Sequence, residues 1–206
     1  EFGFKIIEDA SHAIGGKYRG KPVGSCEFSD VTVFSFHPVK IITTGEGGAA
    51  LTNDVNIFKH LNNLRTHGIT RDEQYFKNKS QGDWYYEQID LGFNYRMTEM
   101  QAALGCSQMT RLDEFVSMRN KNATLYHEAL SELDITLPIV KSEVYSSYHL
   151  FVIKLNSRCP SRRKLIFDYM RENGIGVNVH YIPIHLQPYY RKLGFKEGCF
   201  VNSEIY

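Results

Sequence analysis

The sequence has no marked excess of either charge, no paired cysteines and no long apolar run, and each absence removes a class of function. Lysine and arginine total 24 against 23 acidic residues, a formal net charge of +1. A surface so balanced sets up no long-range field for nucleic acid or for an anionic membrane face. No stretch is apolar for the length that a bilayer requires, and no signal-peptide pattern opens the sequence. The four cysteines, Cys26, Cys106, Cys159 and Cys199, stand far apart with no Cys-x-x-Cys pair. That spacing supports neither a zinc site nor a disulfide framework, and fits the reduced thiols of a cytoplasmic protein. His180 and His185 lie close together, but Pro183 and Pro188 are nearby and there is no third ligand, which argues against a metal site. There is no internal repeat and no low-complexity tract.

What remains is an ordinary globular composition. With 206 residues, 42% hydrophobic and 23% charged, the chain can form one large domain or a domain and a half. Lys5 to Glu8 reads as a short strand, Val31 to Phe36 as a buried one, and Ala49 to Thr52 as a third. Tyr18 to Gly24, with two glycines and a proline, reads as a hairpin-like connection. Ile57, Phe58, Leu61 and Leu64 carry helical spacing, whereas the polar, aromatic stretch from Arg65 to Asp90 shows neither period. Thr98 and Gln101 match a capping box, and the apolar set that follows predicts one helix running to about Leu133, long enough to bridge two domains. Pro138 marks the boundary between a region at 1–137 and a small α+β unit at 138–206. In that unit Tyr148 to Leu155 and Ile175 to Tyr181 read as strands. Between them lies a helix capped by Ser161, with Leu165, Ile166, Tyr169 and Met170 on its core face. The sequence starts on a core strand and stops mid-pattern at Tyr206, which predicts a portion of a longer protein.

Chemistry concentrates around Phe34-Ser35-Phe36-His37-Pro38-Val39-Lys40, followed by Thr43-Thr44-Gly45-Glu46-Gly47-Gly48. Pro38 ends the strand because it has no N–H for a ladder. Lys40 then stands between apolar Val39 and Ile41. A lysine held there has a reason to lose its proton, and a neutral amine attacks carbonyls. A solvated surface lysine at a turn is the alternative. Asp9 ends the first strand, where open α/β sheets place ligand-binding groups, although it could equally cap the following turn. His12 is open to the same choice between site residue and interior histidine. A carboxylate that holds a pyridine nitrogen protonated, a lysine for a Schiff base and a serine among backbone N–H groups for a phosphate together describe pyridoxal phosphate chemistry.

The residues carrying that pattern resemble the DegT/DnrJ/EryC1/StrS family of sugar aminotransferases over essentially the whole chain. The matching motifs are Glu8-Asp9-Ala10-Ser11-His12-Ala13 with Gly15, Val23-Gly24-Ser25, and the Lys40 stretch. Gly92-Phe93-Asn94-Tyr95-Arg96-Met97 with Gln101-Ala102-Ala103-Leu104 completes them. The resemblance implies an α/β chain of the aspartate-aminotransferase (PLP type I) fold, here the later part of the large domain (1–137) and an incomplete small domain (138–206). It implies pyridoxal 5′-phosphate held by Lys40, with Asp9 on the ring nitrogen, His12 beside the phenolic oxygen and Ser35 on the phosphate. Asn94 would reach the phosphate of a neighbouring subunit, hence a homodimer sharing its sites. Arg96, Tyr181 and His185 would face the amino donor or the sugar. Glutamate would give the amine and a nucleotide-linked keto sugar would receive it. The segments at 65–69, 84–87, 180–183 and 187–190 are closest to the branch that aminates C4 of a UDP-linked 4-keto-6-deoxy-N-acetyl sugar in pseudaminic acid biosynthesis. A dehydratase branch carries histidine where this chain has Lys40, so transamination is favoured. The family's long segment before the Asp9 strand is not in this sequence, which leaves three expectations: a portion of the enzyme, a second chain that completes it, or a non-enzymatic remnant.

Overall fold

The computed structural model describes residues 2–156 and 160–206, the side chains of Pro160 and Ser161 excepted. In order the elements are β1 (Ile7–Asp9), β2 (Lys17–Tyr18), β3 (Lys21–Pro22), β4 (Val31–Ser35), β5 (Gly48–Leu51), α1 (Val55–Arg65), β6 (Ile69–Thr70) and β7 (Glu87–Gln88). There follow α2 (Glu99–Met109), α3 (Leu112–Leu130), β8 (Ile135–Thr136), β9 (Val144–Tyr145), β10 (Lys154–Leu155), α4 (Pro160–Glu172), α5 (Pro188–Lys192) and α6 (Val201–Ile205). No described helix is long and apolar enough to cross a membrane. Glu1, Cys159 and the capping hydroxyl expected of Ser161 lie outside the described residues.

Two compact units divide the chain: 1–126 with 140–150, and 127–139 with 151–206. The first is built on a sheet of order β1-β4-β5, with β1 parallel and β5 antiparallel to the central strand. Alternation on β4 sends Thr32 and Phe34 inward, both buried, and leaves Val33 on the opposite face. Phe34 joins Ala10, Ile14, Ile41, Ile42 and Val116 in the core. Beneath the sheet the Thr32 hydroxyl donates to Glu8 at 2.8 Å, so the buried oxygen is satisfied. The connection from Tyr18 to Gly24 is the expected hairpin, pairing Lys17 with Pro22 and Tyr18 with Lys21. Arg19 and Gly20 both take positive φ at its tip, as a tight two-residue turn demands.

The single helix expected from Thr98 to about Leu133 is two helices. The capping box at Thr98 and Gln101 starts α2 as expected. At the break the Thr110 hydroxyl donates back to Ser107 O at 2.8 Å, a local bond that competes with helix continuation. The aperiodic stretch after Arg65 also has an organiser that periodicity does not reveal. Glu87 is buried and accepts from the Lys77 and Asn78 N–H groups at 2.6 and 2.8 Å and from the Tyr85 hydroxyl at 2.9 Å. The Lys77 bond leads in pulling the Glu87 carboxyl down to about 2, so one carboxylate gathers the whole loop.

In the second unit the strand expected from Tyr148 to Leu155 shrinks to β10, paired antiparallel with β8. Ile175 to Tyr181 is not a strand; nothing among the described residues pairs with it. The helix there is α4, but Leu165 and Tyr169 are exposed, and the partly covered side runs through Ile166, Phe167 and Met170.

Candidate active site

The site is built where β1 and β4 end together. Their parallel register sets Asp9 opposite Val33, so Asp9, Val33 and, two residues on, Ser35 share one face of the sheet. That face is the more open one, with Thr32 and Phe34 turned away into the core. The chain then makes a compact loop instead of continuing the strand. Phe36 N–H donates to Gly47 O at 2.8 Å, Thr44 N–H to Phe36 O at 3.0 Å, and the Thr43 hydroxyl to the same oxygen at 3.0 Å. Inside this loop Lys40 N–H closes a turn onto His37 O at 2.9 Å. Gly48 is needed because a Cβ there would sit 2.6 Å from Phe34 O. Ile41 and Ile42 are buried just after Lys40, while Val39 before it is 64% exposed. Lys40 is therefore anchored from its C-terminal side and half-exposed, not walled in by both apolar neighbours.

Asp9 is the electrostatic centre. Its Oδ1 accepts both the Ser11 hydroxyl at 2.6 Å and the Ser11 N–H at 3.0 Å. Those two bonds, joined by the positive charges of His12 and Lys40, hold its carboxyl below the usual carboxylate range. His12 and Lys40 each lie close enough to Asp9 for their charge to act on its carboxylate. Ser35 lies on the same edge, and its Oγ accepts from His37 N–H at 3.5 Å. His12 is exposed, with its ring centroid 4.3 Å from that of His149 and its carbonyl accepting from the Ser147 hydroxyl at 3.1 Å.

The remaining candidates have contacts of their own. Asn94 forms an isolated bridge with Thr66; it and Arg96 are exposed, and neither hydrogen-bonds Asp9, Ser35 or Lys40 among the described residues. Tyr181 is exposed in the second unit, its ring 3.7 Å from that of His180. His185 is only 6% exposed, and its Nε2 lies 2.7 Å from Glu204 Oε1. Two neighbours went unremarked in the sequence. Ser11 stands two positions from Asp9, a spacing that could have marked it as a side-chain partner. His149 is distant in the chain from His12, and no local pattern links them.

The residues on this edge fit a pyridoxal phosphate. Oδ1 of Asp9 is taken by Ser11, while Oδ2 accepts no hydrogen bond among the described residues and can meet a ring N–H. An amine, a carboxylate and a hydroxyl on one strand-end edge are the donor set that such a cofactor requires.

Comparison with known proteins agrees with this chemistry. The profile of the DegT/DnrJ/EryC1/StrS aminotransferase family matches residues 1–206. The uncharacterized protein MJ1066 of Methanocaldococcus jannaschii is 38% identical over 99% of this chain and 53% of its own length. The UDP-4-amino-4,6-dideoxy-N-acetyl-beta-L-altrosamine transaminase of Campylobacter jejuni serotype O:23/36 is 36% identical over 94% of this chain and 49% of its own. The structure of the putative sugar aminotransferase Spr1654 of Streptococcus pneumoniae, in its PMP form, superposes with a TM-score of 0.85 at 31% identity, covering 98% of this chain and 51% of that one. The chain spans about half the length of these relatives.

Proposed function

Because the chain belongs to the DegT/DnrJ/EryC1/StrS aminotransferase family, we propose that the complete protein is a pyridoxal 5′-phosphate-dependent transaminase acting on a nucleotide-linked sugar. It moves an amino group from glutamate to C4 of a 4-keto-6-deoxy sugar of the UDP-N-acetyl type. The observation that carries the reading is that β1 and β4 pair in parallel and end together, with Asp9 at one strand end and the Lys40 loop following the other, where the lysine's charge acts on the carboxylate. The Campylobacter transaminase, at 36% identity, supports the choice of sugar.

The cofactor, when bound, supplies an electron sink for the carbon that loses or gains a proton. Lys40 Nζ would be its covalent anchor and, when free, the amine that moves a proton at the reacting carbon. Asp9 Oδ2 would keep the ring nitrogen protonated, which would make the sink effective. His12 would stand beside the phenolic oxygen, and the Ser35 hydroxyl would hold the phosphate. Asn94 serves the phosphate of a second subunit, so the working form is a homodimer. Arg96, Tyr181 and His185 are assigned to the donor and sugar; Arg96 and Tyr181 are exposed, and His185 is held by Glu204.

The test is reconstitution of the complete protein with pyridoxal phosphate. A visible absorbance band that glutamate bleaches is expected, with an amino sugar formed when the keto sugar is added. Lys40→Ala and Lys40→Arg should lose both the band and the product. A wild-type protein that stays colourless refutes the proposal, and a deoxygenated product without amino sugar replaces it with the dehydratase reaction.

A further inference from the structure

We propose that Ser11 is a positioning residue for Asp9: its N–H and hydroxyl both seize Oδ1, which turns the carboxylate so that Oδ2 is the oxygen offered to the ring nitrogen. This rests on the transaminase reading for the identity of the ring, and on geometry for everything else. The two contacts are 3.0 Å from the N–H and 2.6 Å from the hydroxyl, and both end on the same oxygen. A turn after an aspartate needs only the main-chain bond. The second bond costs the Ser11 side chain its rotational freedom and adds a short, charge-assisted contact.

The consequence is a fixed carboxylate plane. A carboxylate held by one bond can swing about its Cβ–Cγ axis, whereas two donors arriving from one side leave a single oxygen pointing outward. The other charged groups facing Asp9 are His12, on the loop after β1, and Lys40, on the loop after β4; both favour the anion. Glu8 belongs to the opposite face, where it meets Thr32. Among the described residues, Ser11 is the neutral group that hydrogen-bonds Asp9 in its ionised form.

The experiment titrates the Asp9 carboxyl by carbon-13 NMR in the complete apo-protein, labelled at aspartate, with the signal assigned through Asp9→Asn. Ser11→Ala removes the hydroxyl and keeps the N–H, so the carboxyl's proton affinity should rise about tenfold, the effect of one lost bond to an ionised acceptor. Ser11→Thr should restore the wild-type midpoint, and Ser11→Gly should repeat the alanine result. In the same variants the dissociation constant for pyridoxal phosphate should rise about tenfold with Ala and recover with Thr. An unmoved titration midpoint in Ser11→Ala and Ser11→Gly, in a protein that takes up the cofactor normally, overturns this role alone. A wild-type protein that takes up no cofactor overturns the transaminase reading, and this role with it.

Discussion

Ile42 offers the most direct check on how the Lys40 loop is held. Its side chain is 1% exposed and belongs to the cluster of Ala10, Ile14, Phe34, Ile41 and Val116. It lies two residues after Lys40, so it works as the pin of the turn that carries the amine. Ile42→Ala removes three buried carbons, about 2.4 kcal/mol at ~0.8 kcal/mol each. The cavity left behind raises the expected cost to about 3–4 kcal/mol, inside the usual range for such truncations. Ile42→Val removes one carbon and should cost about 1 kcal/mol. Urea unfolding of the complete protein measures both, with the free energies taken from midpoint shifts at a shared slope. The comparison variant is Val116→Ala, a similarly buried position on α3 that does not border Lys40 in sequence. If Ile42 pins the turn, Ile42→Ala loses pyridoxal phosphate faster than Val116→Ala does. An Ile42→Ala cost under about 1 kcal/mol refutes the packing argument, and equal cofactor retention in the two variants refutes the pin.

Two further predictions concern positions away from the site. Glu87 has a folded-state carboxyl pulled down to about 2; its unfolded value is about 4.3. Its stabilisation is therefore complete at neutral pH and disappears as pH falls from about 4.3 through 2. Limited proteolysis should find the loop around Glu87 protected at pH 7, opened progressively in that acid window, and already open at pH 7 in Glu87→Gln; equal cutting rates for the two proteins at pH 7 contradict this. Gly68 has φ +68°, and a Cβ there would run into Asp90 O. Gly68→Ala should cost at least 2 kcal/mol, because a positive φ alone costs about 1–2 kcal/mol for a side-chain-bearing residue. Gly20→Ala, at φ +76° with open space around it, should cost only that conformational share. Matching urea midpoints for the two variants contradict the clash.

Elements with a strong local signal were legible. Val31 to Phe36, the hairpin within Tyr18 to Gly24 and the capping box at Thr98 each carry their own cause: β-branched alternation, two glycines with a proline, and a reciprocal side-chain cap. What failed depends on polar bonds and strand pairing, which leave no apolar period in the sequence. Thr110 interrupts a helix through a bond its own hydroxyl makes to Ser107, and apolar periodicity is blind to that bond. The stretch from Ile175 to Tyr181 has strand composition, yet a strand exists only when another backbone pairs with it. The Glu87 loop is the same lesson in polar form. Its order comes from a carboxylate gathering N–H groups about ten positions back in the chain, a contact with no period to read.

The site divides along the same line. The sequence proposes Asp9 and Lys40 because each ends a strand or follows one, and parallel pairing of β1 with β4 puts the two strand ends on one edge. The same register sets Ser35 on the face that carries Asp9. The other candidates sit on loops: Asn94 and Arg96 are exposed on a segment tied to Thr66, and His185 is held by Glu204. The difference is physical. A ladder transmits position residue by residue, so two groups at its end are fixed relative to each other once the register is known. A loop transmits nothing beyond its own anchors, and roles assigned there depend on what the loop meets. For a cofactor gripped at both ends, the carboxylate of Asp9 is fixed by the ladder, whereas the amine of Lys40 is fixed by the anchors of the loop that follows β4, chiefly the buried Ile41 and Ile42.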